Sequence, residues 1–397
     1  MKYVLIVPDG MGDRPLKELR GKTPLETART PNMDFLYRNG LCGTTNNTPR
    51  SLNPASDVAN MSILGVDPLK TLLNRGPLEA LAQGLQLKPG VIIFRMNFVT
   101  VRDGRMKDFT AGHISTKDAT RLVGLLNRRI AARHQGRLRF YPGVSYRNLL
   151  IFESKRGLNV PSAVYTPPHD ITDRKIASHL PPKKDIIRSI MDESAELLAD
   201  RKLNPTQATM VWLYGQGPIR KLPSFRQRFG LSGALISAVD LVRGLGRAIG
   251  LDILKVPGIT SYFDTNYANK GRYALAALKK HDFVFVHIEA PDEAGHEGNI
   301  REKIRAIENI DRHIVGPLLK GLAGRKFRML ILPDHRTPVC LKTHCHDDVP
   351  FLLYDSTCRL SPAGQERKKF SERHIDEGTP DIRFRRGSDL LPFFVRT

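Results

Sequence analysis

The sequence predicts an α/β protein: a mainly parallel sheet flanked by helices, with a smaller α/β domain inserted into it. Two observations carry that expectation. Apolar runs rich in Val, Ile and Leu recur along the chain, most of them separated by helix-like stretches, the pattern of strands buried on both faces of a parallel sheet. The stretch from Gly112 to about Arg228 has strands, helices and Pro-rich turns of its own (Pro167-Pro168, Pro181-Pro182), and the polar clusters able to do chemistry occur only before and after it. At ~150 residues per domain, the 397 residues accommodate this division, with boundaries expected at 1–111, 112–228 and 229–397 and the outer two segments forming one domain.

Strands are expected at Tyr3 to Val7, Val91 to Val99, Leu149 to Phe152, Met210 to Tyr214, Phe283 to Ile288 and Met329 to Leu332, where aliphatic and β-branched residues run together. Helices are expected at Thr30 to Arg38, Asp118 to Ala132, Asp185 to Asp200, Ala234 to Ile249 and Asn299 to Leu322. The basic stretch Arg367 to Arg386 reads as a solvated face.

Composition removes several function classes. With 41% apolar and 26% charged residues, the chain is neither disordered nor fibrous. An excess of 22 Lys and Arg over Asp and Glu favours anionic partners: phosphorylated metabolites, nucleic acid or anionic lipid. One Trp, Trp212, and few other aromatics offer no stacking platform, so no nucleic-acid partner is expected. Cys42, Cys340, Cys345 and Cys358 form no C-x-x-C pair, which fits a reducing cytoplasm better than a disulfide scaffold. The first apolar run stops at Asp9, and no uncharged run of ~18 apolar residues occurs, so neither export nor a membrane span is expected. Gly244 to Gly250 misses the dinucleotide fingerprint and follows a helical stretch, which points to close helix packing; a phosphate-binding P-loop motif is absent.

Three acidic clusters directly follow expected strands: Pro8-Asp9-Gly10, Glu289 to His296, and Pro333-Asp334-His335. Ligands of open α/β sheets bind at the carboxyl ends of strands. Asp292 and His296 stand four apart, a spacing that brings carboxylate and imidazole to one side of a helical turn. Asp334 and His335 are adjacent and point apart, so they can serve two ions, and Thr343-His344-Cys345-His346-Asp347-Asp348 adds further donors. Two divalent ions with mixed carboxylate and imidazole ligands need about six or seven donors, and these clusters contain enough. Ser56 has no neighbouring His to act as base. Read alone it is a helix N-cap, yet a helix N-terminus also stabilises phosphate, and a divalent ion on its oxygen can replace a general base.

Taken together, Val7-Pro8-Asp9-Gly10-Met11, Ser56-Asp57-Val58-Ala59-Asn60 leading into Leu64-Gly65-Val66-Asp67-Pro68, His287 to Gly298, and Asp334-His335 followed by Thr337-Pro338 and His344 give the whole chain its likeness to a family. It resembles the archaeal-type 2,3-bisphosphoglycerate-independent phosphoglycerate mutases of the alkaline phosphatase superfamily and their bacterial relatives. The resemblance implies an alkaline-phosphatase-like fold and two divalent metal ions, Mn2+ foremost, with Mg2+, Co2+ or Zn2+ as alternatives. Asp9, Ser56, Asp334 and His335 would hold one ion, and Asp292, His296 and His344 the other. Ser56 would be phosphorylated by 3-phosphoglycerate and return the phosphoryl group to give 2-phosphoglycerate, a cytoplasmic step of glycolysis and gluconeogenesis. Lys303 would bridge nucleophile and phosphate. The inserted segment would be a substrate-binding domain that closes over the substrate and excludes water, with His113, Arg147, His169 and Asp170 gripping phosphate and carboxylate.

The chain departs from the family pattern at four places. Ala55 precedes Ser56 where Gly is common, and Arg336 follows Asp334-His335 where a small residue is usual, a cation expected near the metals that would either bind phosphate or obstruct the site. His346 competes with His344 as a ligand, although His344 keeps the family spacing to Val349-Pro350. Tyr214 stands before Gly215 where archaeal members often have Arg. This last departure leaves open another metal-dependent phosphotransferase or phosphatase acting on a small metabolite, such as a homoserine kinase-like role.

Overall fold

A computed structural model of the chain describes residues 1–85, 90–153, 165–360, 367–378 and 380–396. Among them thirteen strands form: β1 (Lys2–Pro8), β2 (Leu41–Thr45), β3 (Val91–Arg102), β4 (Arg105–Asp108), β5 (Leu138–Val144), β6 (Arg147–Glu153), β7 (Met210–Pro218), β8 (Gly233–Ile236), β9 (Asp252–Ile253), β10 (Phe283–Ile288), β11 (Phe327–Ile331), β12 (Val349–Asp355) and β13 (Ile382–Phe384). The chain divides into two units, Met1–Leu72 with Leu222–Thr397, and Leu73–Lys221.

The first unit is organised by an eight-stranded sheet in the order β13-β2-β12-β11-β1-β10-β8-β9. Residues Tyr3 to Pro8 of β1 are all buried, so this strand can only be central. It pairs in parallel with β10 on one side, Pro8 opposite Ile288, and with β11 on the other, Ile6 opposite Ile331. The carboxyl ends of three strands thereby come to one edge, carrying the loops that begin at Asp9, Glu289 and Leu332. Beyond β11, β12 runs antiparallel to both β11 and β2.

The expected helix Ala234 to Ile249 is instead a strand followed by a helix. Ala234, Leu235 and Ile236 are fully buried in β8, parallel to β10, and helix begins only at Asp240. A short apolar run does not by itself distinguish a buried strand from a helix. In helix Asp240–Ala248, a Cβ on Gly246 would lie 2.8 Å from a Leu235 methyl, so the glycine-rich stretch serves close helix-on-sheet packing. The stretch Asn299 to Leu322 is helical in three pieces, Ile300–Ile310, a π-turn at Asp311–Val315, and Gly316–Gly321. The basic stretch is not uniformly solvated: Arg367 is buried, donates to the Gly40 carbonyl at 3.1 Å and pairs with Asp381.

The second unit begins at Leu73, not at Gly112, and ends at Lys221. The reason is β3, which pairs antiparallel with β4, β6 and β7 and is the centre of a five-stranded sheet completed by β5. Helices Arg75–Ala82, Thr116–Arg129 and Ile186–Ala199 pack on that sheet. Trp212 is a core residue whose indole N–H donates to the Thr166 carbonyl at 2.9 Å. Among the described residues, no helix is long and apolar enough to cross a membrane.

Candidate metal centre and nucleophile

The loop after β1 is pinned before any side chain is considered. Asp9 N–H donates to the Ile288 carbonyl at 2.9 Å, and Gly10 then turns with φ +60°, where a Cβ would collide with Asp292 and Thr337. Gly10 N–H and His335 N–H both donate to Asp334 Oδ1, at 3.1 and 2.9 Å, so the loops after β1 and β11 share one carboxylate. Asn60, fully buried, bonds the Ser56 carbonyl at 2.8 Å and Asp334 Oδ2 at 2.9 Å, tying the Ser56 helix to the same group.

Ser56 is the first residue of helix Ser56–Ile63, and Ala55 is its N-cap. The expected capping role of Ser56 therefore falls away, and its Oγ faces His335 Nε2 at 3.2 Å. Ala55 lies at φ −151°, extended backbone open to any residue, so the missing glycine imposes no strain there.

Asp292 and His296 lie on helix Ala290–Glu297 with Nε2 3.1 Å from Oδ2. His344 reaches the same point: its Nε2 is 2.9 Å from His296 Nε2 and 3.5 Å from Asp292 Oδ1, and its Nδ1 faces the Pro54 carbonyl at 2.9 Å. His346 turns elsewhere, its Nδ1 3.2 Å from the Thr48 carbonyl. His335 stacks on His344 with ring centroids 3.9 Å apart, and Thr337 Oγ1 bonds Asp292 and stands 3.2 Å from His335 Nδ1.

Among the described residues, three sets of ligand atoms converge to within 4.8 Å: Asp9, Asp334 and His335; Asp292, His335 and His344; and Asp9, His287 and Glu289. Both Asp9 carboxylate oxygens are buried with no hydrogen-bond partner among those residues. A buried charge left so is costly unless a cation meets it, so the donor set fits a divalent ion. Burial, then the negative charges of Asp334, Glu289 and Asp292, raise the Asp9 carboxyl well above its usual range. Burial opposes ionisation of Asp292 too, yet its bonds to His296 and His344 hold it well below that range. The Asp292 bond lifts His296 to about 9.

Two residues expected at the chemistry are committed elsewhere. Lys303 is fully buried, and its ammonium bonds Asp13 Oδ2 at 2.7 Å, the Thr337 carbonyl at 2.8 Å and the Gly12 carbonyl at 3.2 Å. All three protons meet these acceptors, and none of the bonds goes to Ser56. Arg336 is buried against Asp376, at 2.7 and 3.0 Å, and the Asp348 carbonyl at 2.8 Å; it neither obstructs the centre nor offers itself to phosphate.

In the second unit, His169 lies edge-on to Phe109 and Tyr214 at 6.0 and 6.4 Å, its Nε2 3.5 Å from Asp170 Oδ1. Phe109 also meets Tyr146, over which the Arg147 guanidinium sits at 5.5 Å. His113 shares the Phe109 turn, its N–H donating to Thr110 Oγ1 at 3.0 Å with φ +51°. Tyr214 is buried, with the Arg95 guanidinium 5.6 Å over its ring. Burial lowers His169, and the nearby cations Arg75 and Arg95 add to the effect against the pull of Asp170. Sequence reasoning assigned no role of their own to Arg75, Arg95, Asn60, Asp13, His287 and Glu289. Asn60, His287 and Glu289 stood inside quoted motifs, and His287 is besides a lone imidazole inside the apolar run Phe283 to Ile288; Arg75, Arg95 and Asp13 carried no signal.

Comparison with known proteins gives consistent results. The model of the Metalloenzyme superfamily matches residues 1–375. A 2,3-bisphosphoglycerate-independent phosphoglycerate mutase of Methanothermobacter thermautotrophicus is 47% identical over 363 residues, covering 89% of this chain and 88% of the relative. One of Methanosarcina acetivorans is 41% identical with both chains fully covered. Among solved structures, a Pyrococcus horikoshii protein superposes with TM-score 0.79 at 29% identity, covering 99% and 96% of the two chains. The cofactor-independent phosphoglycerate mutase of Thermoplasma acidophilum gives 0.64 at 27%, with full coverage of both.

Proposed function

The chain belongs to the Metalloenzyme superfamily, among the 2,3-bisphosphoglycerate-independent phosphoglycerate mutases, and from that premise we propose how its own residues interconvert 3-phosphoglycerate and 2-phosphoglycerate. It is an isomerase that uses divalent metal. The observation that carries the residue-level reading is Ser56 Oγ at 3.2 Å from His335 Nε2, beside the orphaned carboxylate of Asp9.

Asp9, Ser56, Asp334 and His335 would hold one ion and Asp292, His296 and His344 a second; the mixed oxygen and nitrogen set suits Mn2+, Mg2+, Co2+ and Zn2+ alike, and the family resemblance makes Mn2+ the first choice. Bound ions lower the hydroxyl pKa and neutralise phosphoryl charge. Ser56 Oγ gives up its proton and forms a bond to phosphorus as the bond to the substrate's 3-oxygen breaks; that oxygen takes up a proton. The return transfer to the 2-oxygen restores Ser56 and yields the isomer. The N-terminal end of helix Ser56–Ile63 favours phosphoryl charge through the helix dipole, and Asn60 keeps Ser56 and Asp334 in register. His113, Arg147 and His169 bind the substrate's phosphate and carboxylate, Arg147 through its fork, and Asp170 holds its hydroxyl. The setting is cytoplasmic, in glycolysis and gluconeogenesis.

The test incubates Mn2+-reconstituted protein with 3-phosphoglycerate, without bisphosphoglycerate, and follows phosphorus NMR. 2-Phosphoglycerate without free phosphate supports the mutase, and phosphoserine at Ser56 in a quenched sample, read by mass spectrometry, supports the covalent step. Phosphate release alone, or transfer only to another acceptor, overturns the reading.

A further inference from the structure

We propose that His287 is a positioning residue for Asp9, and that Glu289 acts through it; the inference rests on the metal reading of Asp9 given above. The strand register brings them together: β10 lies parallel to β1 with Val7 opposite His287, next to the loop that carries Asp9. His287 is fully buried. Its Nε2 lies 3.1 Å from Asp9 Oδ2, and among the described residues neither atom makes a hydrogen bond with any partner. Nδ1 is 3.5 Å from Glu289 Oε2 and 3.5 Å from Ser237 Oγ.

The backbone beneath the ring is also held. Buried Lys270 donates from Nζ to the His287 carbonyl at 2.7 Å, and the imidazole lies nearly parallel to the Phe285 ring, 8° between planes. The imidazole thus meets both carboxyl groups, which also lie close to each other, with its orientation fixed. Asp9 has two oxygens and two neighbours of different kind: Oδ2 faces His287, and Oδ1 faces His335 Nε2 at 3.6 Å on the Ser56 side. A carboxylate with one oxygen packed against a fixed imidazole presents the other to an ion at a set angle. Partners of this kind are worth about 10- to 100-fold in metal affinity.

The experiment strips the full-length protein with a chelator and titrates it with Mn2+ by calorimetry, in two backgrounds that separate the ions. Asp292→Asn leaves the Asp9 set intact, and Asp9→Asn leaves the Asp292 set. His287→Asn is expected to weaken Mn2+ binding about 10- to 100-fold in the first background and to leave the second unchanged. Glu289→Gln, which keeps the side chain's shape, is expected to produce a smaller loss confined to the same background. Should His287→Asn not fold, as judged by circular dichroism, Glu289→Gln alone decides. Unchanged affinity at the Asp9 set, or equal loss at both sets, overturns the inference while leaving the mutase reading in place. A wild-type protein that binds no Mn2+ overturns both.

Discussion

Lys303 Nζ and Asp13 Oδ2 lie 2.7 Å apart, and both side chains are fully buried. The pair joins the loop after β1 to helix Ile300–Ile310. Asp13 extends the connection: its Oδ2 also accepts from Val339 N–H at 3.2 Å, and its own N–H donates to buried Glu372 at 2.9 Å. The loops bearing Asp9 and Asp334 are thus fixed by charges that never touch the metal centre.

Removing one partner of that pair leaves the other charge buried and alone. Lys303→Met is expected to lower stability by about 3–5 kcal/mol, read by urea denaturation. Lys303→Met with Asp13→Asn is expected to cost less than the sum of the two single changes. Additive losses would show that the two side chains are not coupled.

Ser56→Ala is expected to reduce mutase turnover at least about a thousand-fold, with the circular dichroism spectrum and melting temperature retained because Ser56 caps no helix. Normal interconversion in this variant would rule out the covalent route.

Arg336→Lys keeps the charge but loses the planar fork that grips Asp376. A loss of about 1–3 kcal/mol in stability is expected, with KM for 3-phosphoglycerate unchanged. A raised KM with unaltered stability would return Arg336 to the substrate.

Asp355 supplies a test of charge and pH. Its side chain is 1% exposed. Burial works against its ionisation, but Thr357 at 2.6 and 2.8 Å and Arg328 at 2.6 Å hold its carboxyl below the usual range. A depressed carboxyl stabilises the fold above its unfolded pKa, about 3.9, and that contribution disappears as pH falls through the folded value. Asp355→Asn is therefore expected to be less stable than wild type at pH 7, with the gap closing below about pH 4. A gap independent of pH would show that the charge is not what matters.

Chelation is expected to lower the melting temperature as well as abolish turnover. An ion at a hundred times its Kd contributes about 2.7 kcal/mol, and its removal restores the mutual repulsion of Asp9, Asp334 and Glu289. Restoring Mn2+ is expected to recover both; an unchanged melting curve would count against metal at these carboxylates.

Much of the centre was legible in the sequence because a parallel sheet converts sequence order into spatial order. Asp9, Asp292 and Asp334 follow three apolar runs, and β1, β10 and β11 lie side by side. His344 was legible from its spacing to Val349-Pro350. Lys303 and Arg336 were not, since whether a cation faces phosphate or a buried carboxylate depends on Asp13 and Asp376, far away in sequence. His287 was hidden because strand periodicity says that a side chain is buried, not which loop it meets. The second unit's start was misplaced for a related reason: β3 reads as another strand of the main sheet until its antiparallel partners β6 and β7 are known.

The pairing of β2 with β12 and β13 sets an order for synthesis on the ribosome. The strands β3 to β7 of the second unit emerge together and find all their partners within one uninterrupted stretch. The main sheet must wait for Val349–Asp355 to pair one side of β2 and for Ile382–Phe384 to cover the other, so the nascent chain carries β2 unpaired while the whole second unit is made. Such strands invite pairing with other chains, and it is β12 and β13, made long after β2, that protect it.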